Sequence, residues 1–329
     1  TWELSNVPAG SYGIIPRLDG WIFEPGEINV TVSEQAGDST GNQFTAMVET
    51  FGVTGTVRTL AGNRLSGIEV QARRNDATVA TATTNANGVY GIDGLEPGTY
   101  VIRPVDDSYA FDPAEQSVDV ATDVANVDFG AAPLYTMTLP AGLNLVSVPV
   151  EPMQPSPVDV FGAGVDVARW DPQTGAYVTA PSTNPIMEVR PGAGFWTRAA
   201  AQSQLDIAGT PFEATQNLSL TAQRTWNMFG NPYPRTLPWE QVGIPDGSPA
   251  SSYGFIYDAA AGTYRLVSTA PGLGAATVVP TNAGFWLRSG TATQITINGP
   301  GAAPASAEVA QQVERKPADD AWIVPVVAR

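Results

Sequence analysis

The chain has no cysteine and no histidine among its 329 residues, and Lys316 is its one lysine. Without thiols there is no disulfide framework, no thiolate metal site and no cysteine nucleophile. Without imidazole, Ser-His-Asp and Cys-His catalysis, imidazole–zinc sites and the commonest general base are all excluded. No run of 18 apolar residues occurs, so no helical membrane insertion is expected. No window repeats apolar residues at helical spacing over three turns; the best helix candidate is a short polar stretch at Ala305 to Arg315. No secretory signal is visible at Thr1, as expected of a mature chain or an internal piece.

What is abundant is glycine (33) and proline (28), a composition suited to many short strands joined by turns. Acidic residues outnumber Arg and Lys by 32 to 16, for a net charge of −16. Such a surface repels phosphate backbones and anionic membranes, so nucleic acid is excluded as a partner. Solubility and suppressed self-association are the simplest use of the charge. A cysteine-free, acidic β protein fits an extracellular or cell-surface location, here read as bacterial.

The chain also repeats itself. LSNVPAGSYGIIPRLDGWIFEPGEINVTV, from Leu4 to Val32, returns as IDGLEPGTYVIRPVDDSYAFDPAEQSVDV, from Ile92 to Val120. Pro8 to Tyr12 answers to Glu96 to Tyr100, and Trp21, Phe23 and Pro25 answer to Tyr109, Phe111 and Pro113. The second copy follows further strands from Val53 to Val89, and the first has no such lead-in. Residues 1–49 therefore read as the second half of an incomplete β-sandwich module, and 50–132 as a complete one. The expectation is either a piece of a longer tandem array or a subunit whose missing strands come from elsewhere.

Within 50–132, Val53, Gly55 and Val57 alternate, as do Ile68, Val70 and Ala72, the pattern of half-buried strands. Asn85-Ala-Asn-Gly88 and Glu96-Pro-Gly-Thr99 read as tight turns. Leu-Ser-Gly-Ile-Glu-Val from Leu65, Thr-Thr-Asn-Ala-Asn-Gly-Val-Tyr from Thr83 and Leu-Glu-Pro-Gly-Thr-Tyr from Leu95 resemble the carboxypeptidase-regulatory-like and Cna-B-like (prealbumin-like) β-sandwich. The resemblance covers the second module fully and the first by its second half. It implies an Ig-like or prealbumin-like fold used as a stalk or spacer on bacterial surface proteins. Pilus members of that family often carry Lys–Asn isopeptide cross-links; with no lysine in either module, an intramodule link is excluded here.

A different duplication spans 133–302, with repeats at about 134–210 and 217–300. Asn144 and Pro149 answer to Asn227 and Pro232; Ala168 to Val178 answers to Phe255 to Leu266; Ala193-Gly-Phe-Trp196 answers to Ala283-Gly-Phe-Trp286; Arg198 answers to Arg288. The expectation is a pseudo-twofold pair of small sheets around one core. This half resembles a repeat of secreted bacterial proteins that opens on Trp-Asn-Leu-Ile-Ser-Leu-Pro and carries a late Gly-Tyr-Trp strand; Leu143 stands where that pattern often has Trp. Residues 303–329 hold a Pro/Ala- and charge-rich linker and a strand-grade run. Trp322, Ile323, Val324, Val326 and Val327 are its candidate strand-donating residues, with Pro325 suited to an edge.

Candidate chemistry is sparse. Asp171 and Asp258 occupy the same repeat position in Asp-Pro-Gln-Thr-Gly and Asp-Ala-Ala-Ala-Gly, which reads as turn capping rather than acid/base catalysis. No Asp-x-Asp-x-Asp-Gly calcium loop occurs, and no metal or cofactor is expected. Asn29-Val-Thr31 and Asn217-Leu-Ser219 are two glycosylation sequons, near chance for this length. Most Trp and Tyr of the duplicated half fall at repeat-equivalent positions and read as core. Trp239 has no counterpart and is expected to be exposed, a candidate glycan contact. The sequence thus points to a non-enzymatic extracellular structural protein, all-β, whose partners are copies of itself or flanking modules. Strand complementation offers a head-to-tail route to assembly. The alternative is a glycan-binding adhesin module or an accessory region of a secreted hydrolase, with surface glycans as partners.

Overall fold

A computed structural model describes residues 2–34, 40–221, 226–244, 248, 250–270 and 275–299. The fold is nearly all β and divides into two compact units, Thr1–Ala131 and Ala132–Arg329. The strand-grade segment with Trp322, Ile323, Val324, Val326 and Val327 lies outside the described residues, as does the Ala305 to Arg315 helix candidate.

The first unit opens with β1 (Gly10–Ile14), β2 (Trp21–Glu24), β3 (Ile28–Val32) and β4 (Thr45–Val48), which form two separate antiparallel pairs, β1–β3 and β2–β4. Then come β5 (Phe51–Thr59), β6 (Glu69–Arg74), β7 (Ala77–Thr83), β8 (Val89–Leu95), β9 (Gly98–Val105), β10 (Tyr109–Asp112), β11 (Gln116–Val120) and β12 (Phe129–Leu139). One sheet runs β11-β9-β6-β7; in the other, β5 lies between β8 and residues 129–131 of β12. The alternating residues point inward as the period-2 pattern requires. Val53, Val57, Ile68, Val70, Ala72, Ile92, Tyr100 and Ile102 are buried in one core. Asn85 closes the β7–β8 turn by accepting the N–H groups of Asn87 and Val89 on its Oδ1, and Gly88 supplies the positive φ of +71°.

The second unit holds the duplication. Its first repeat contains β13 (Gly142–Ser147), β14 (Val150–Pro152), β15 (Asp166–Asp171), β16 (Ala176–Thr179), β17 (Gly194–Ala199) and β18 (Ser203–Pro211). The second contains β19 (Gln216–Leu220), β20 (Trp226–Gly230), β21 (Leu237–Pro238), β22 (Val242–Gly243), β23 (Ala250–Asp258), β24 (Thr263–Val267), β25 (Val278–Val279), β26 (Gly284–Ser289) and β27 (Thr293–Ile297). The sheets β13-β17-β15-β16 and β20-β26-β23-β24 have the same order. Their registers also correspond. Leu145 faces Trp196 as Met228 faces Trp286, and Trp170 faces Tyr177 as Tyr257 faces Tyr264. Two reciprocal bridges, Val146 to Ala283 and Ala193 to Phe229, join the repeats. At these crossings a Cβ on Gly194 would collide with the Phe229 carbonyl oxygen, and one on Gly284 would lie 2.7 Å from Leu145. That close approach is why Ala-Gly-Phe-Trp recurs in both halves. One short helix, α1 (Pro157–Phe161), starts at Ser156, whose hydroxyl accepts the Asp159 N–H, with Pro157 at its first turn.

Candidate functional site

The N-terminal strands repeat the geometry of the complete module while leaving part of their apolar face exposed, although Val30 is buried like its counterpart Val118. The β1–β3 register, Gly10 opposite Val32 through Ile14 opposite Ile28, is that of β9–β11, Gly98 opposite Val120 through Ile102 opposite Gln116. Tyr12 donates its hydroxyl proton to the Pro8 carbonyl at 3.0 Å, and Tyr100 does the same to Glu96 at 2.9 Å. On the opposite face of β1, the hydroxyls of Ser11 and Thr31 lie 3.2 Å apart. The local fold is therefore the same in both copies.

The burial is not the same. Tyr100 is 3% exposed and Tyr12 37%; Ile92 is 2% exposed and its counterpart Leu4 63%. Trp21, Ile22, Met47 and Val48 on β2 and β4 are exposed as well. The difference has a structural cause. In the complete module β6 pairs along β9, with Ala72 opposite Ile102 and Arg73 opposite Val101, and β5 and β8 close the second sheet. Among the described residues nothing pairs with the corresponding edge of β1. An open edge beside an apolar face is a template for added strands.

The other residues singled out from sequence have structural roles. Asp171 Oδ1 accepts the Gln173 N–H and Oδ2 the Thr174 hydroxyl, while Asp258 Oδ1 accepts the N–H groups of Ala260 and Ala261. Both therefore cap turns. Asp106 accepts the Ser108 N–H, and Asn87 accepts a proton from Arg64. Among the described residues no cluster of three Asp, Glu, His or Cys side chains could hold a metal ion.

The expectation for Trp239 needs correction. It is 3% exposed, its indole N–H donates to the Ser252 carbonyl at 2.9 Å, and its ring packs edge-on against Phe285 at 5.6 Å. A ring held that way has no free face for a sugar. Its lack of a repeat counterpart reflects local divergence: where the first repeat forms α1, the second forms a single 3-10 turn, Trp239–Gln241, whose tryptophan enters the core of its own repeat.

The aromatic centre of the second unit was legible from the repeat. Trp196 and Trp286 are fully buried; Trp196 meets Tyr257 at 4.9 Å and Trp286 meets Trp170 at 6.2 Å, both near edge-on. Burial pushes the phenols of Tyr177 and Tyr264 far above their ordinary value, and that of Tyr233 up to about 12. Sequence reading missed Arg169, which is buried where the second repeat has Ile256. Its guanidinium donates to the Ile186 carbonyl and lies over the Phe195 ring, and its Nε has no partner among the described residues. Desolvation first, and Arg190 second, push it down to about 10.

Residues 52–131 match the family model of the carboxypeptidase regulatory-like domain, covering both sheets of the complete module. They form such a domain. No curated protein matches the chain in sequence. Solved structures similar to it include a streptococcal ancillary pilin, at 15% identity over 64% of this chain and 65% of that one, with a TM-score of 0.25. The chain thus spans just under two thirds of that pilin. The major pilin subunit of Bacillus cereus is 13% identical over 76% of this chain and 85% of its own, with a TM-score of 0.26. The major pilin of Corynebacterium diphtheriae is 13% identical over 76% and 81%, with a TM-score of 0.24. Scores this low leave those matches without bearing on function. Inside the regulatory-like domain, Tyr90 donates its hydroxyl proton to the Val127 carbonyl at 2.7 Å from a buried position.

Proposed function

We propose that the protein is a non-enzymatic structural component of a bacterial surface, a stalk or filament subunit made of β-modules. In this reading the open face of β1 to β4 takes up a strand from a neighbouring copy. The observation that carries it is the contrast between the two copies of one half-module. They share register and tyrosine anchor, and one buries Tyr100 and Ile92 while the other leaves Tyr12 and Leu4 exposed. The donor is the segment with Trp322, Ile323, Val324, Val326 and Val327, whose apolar run and edge-compatible Pro325 suit an added strand. Such a contact is heterologous and does not close, so it propagates a filament. The absence of histidine and cysteine, together with carboxylates committed to turns, supports a role without catalysis.

A peptide of residues 319–329, titrated against the chain lacking residues 321–329, tests this reading. The expected result is saturable binding that slows amide exchange along β1 and is lost in Ile14→Asp. Binding that leaves β1 exchange unchanged, or no binding at all, contradicts it.

A further inference from the structure

The second unit carries a cleft of about 550 Å³ on its first repeat, lined by Leu143, Asp166, Ala168, Thr179, Trp196 and Arg198 among the described residues. Its origin lies in a difference between the repeats. Leu143 and Trp226 occupy the same register, each opposite an arginine, Arg198 or Arg288. Ala168 and Phe255 each stand opposite the central tryptophan, Trp196 or Trp286. Thr179 pairs with Ala168 as Leu266 pairs with Phe255. So the second repeat has Trp, Phe and Leu where the first has Leu, Ala and Thr.

In the second repeat those rings fill the space. Trp226 and Phe255 meet edge-on at 5.7 Å, and Tyr253 adds a third ring 5.8 Å from Phe255. In the first repeat small side chains leave it open over the same kind of floor. The duplication thus shows in one molecule both the empty form of the site and its filled form, and the filling is aromatic.

The mouth of the cleft differs as well. Arg198 donates from Nε and Nη2 to a single oxygen, Asp166 Oδ2, at 2.9 and 2.6 Å. Asp166 Oδ1 and Arg198 Nη1 make no hydrogen bond among the described residues. Among the described residues the second repeat has no such pair at the equivalent place, where Tyr253 stands for Asp166. Its strand bulges at the equivalent place, and Arg288 has no carboxylate partner among the described residues. Both members of the Asp166–Arg198 pair are well exposed, and an exposed pair adds little to stability. It presents one free acceptor beside one free donor, the complement of a peptide N–H and C=O.

We infer that this cleft binds an aromatic side chain, best a tryptophan, presented on an extended segment of a partner polypeptide whose backbone crosses the Asp166–Arg198 pair. A sugar is the less suited occupant, because the Trp196 ring is buried against Tyr257 and offers no face for stacking. The inference is independent of how the N-terminal face is covered.

The test is titration of the whole chain with acetyl-Gly-(5-fluoro-Trp)-Gly-amide, followed by fluorine NMR. Saturable binding is expected, at least tenfold weaker for acetyl-Gly-Leu-Gly-amide. The Leu143→Trp/Ala168→Phe variant gives the first repeat the residues of the second; it should lose binding at least tenfold. Ala168→Phe alone provides the same comparison if the double variant does not fold. Arg198→Ala removes the mouth and leaves the floor, and should weaken the Trp peptide severalfold. No binding by the wild-type chain, equal binding by the filled variant, or binding of methyl glucoside at this cleft in place of the peptide would each overturn the inference.

Discussion

Arg169 sits in an environment that its side chain disfavours. Its guanidinium is buried with one backbone acceptor and no carboxylate partner among the described residues, and the second repeat puts Ile256 in its place. A buried charge without an ionic partner costs several kcal/mol of desolvation that one hydrogen bond does not offset. Arg169→Ile is therefore expected to raise stability by about 1–3 kcal/mol, seen as a higher denaturation midpoint; a lower midpoint contradicts this account. The tyrosines give a second residue-scale prediction. Tyr177, Tyr233 and Tyr264 are held neutral above their ordinary value near 10, Tyr233 to about 12. Unfolded tyrosines ionise first, so the native state binds more protons above pH 10. Stability is complete below that pH and falls as pH rises toward 12, by about 1.4 kcal/mol per pH unit for each such phenol. Denaturation midpoints of the second unit should be flat from pH 8 to 10 and drop by pH 11.5. No drop would mean that the phenols are not buried in solution.

At the scale of elements, the periodicities that named the strands were strong wherever one face meets a core and the other meets water. Val53, Val57, Ile68 and Val70 alternate in sequence and are buried together, and the paired Trp196 and Trp286 were readable as core because both copies keep them. Trp239 was misread for a physical reason. A residue without a repeat counterpart lacks the cue that marks shared core, and Trp239 is buried by a 3-10 turn, Trp239–Gln241, that stands where the first repeat has α1 and that only the fold reveals. The cleft was hidden likewise. Leu143 could be seen to replace a tryptophan, but the space this leaves depends on Ala168 and Thr179 lying beside it across three strands. The glycine of Ala-Gly-Phe-Trp allows a sharp element-scale test. Gly194→Ala places a methyl group against the Phe229 carbonyl and should cost about 2 kcal/mol or more. Gly290→Ala, exposed with nothing within 4 Å, should stay within about 0.5 kcal/mol. Equal losses in urea melts would show that the inter-repeat bridge does not constrain the backbone.

For the whole molecule, what matters is which apolar faces are covered. One regulatory-like domain buries its inner faces between two sheets, and the N-terminal strands present the same kind of face without that cover. Each fully buried aromatic removes about 150–250 Å² from water, and burial stabilises by about 25 cal/mol per Å². Covering Tyr12, Trp21 and their neighbours would therefore stabilise a contact by several kcal/mol before the cost of ordering the donor. A net charge of −16 opposes association at low ionic strength, so salt should favour assembly. The most direct measurement is negative-stain electron microscopy of the purified chain across a concentration series in 0.15 M salt, beside the chain lacking residues 321–329. The account predicts ordered fibres with a repeat of one subunit for the full chain and single particles for the deletion. Single particles from both, or fibres from both, would contradict completion of the open face by the strand of a neighbouring copy.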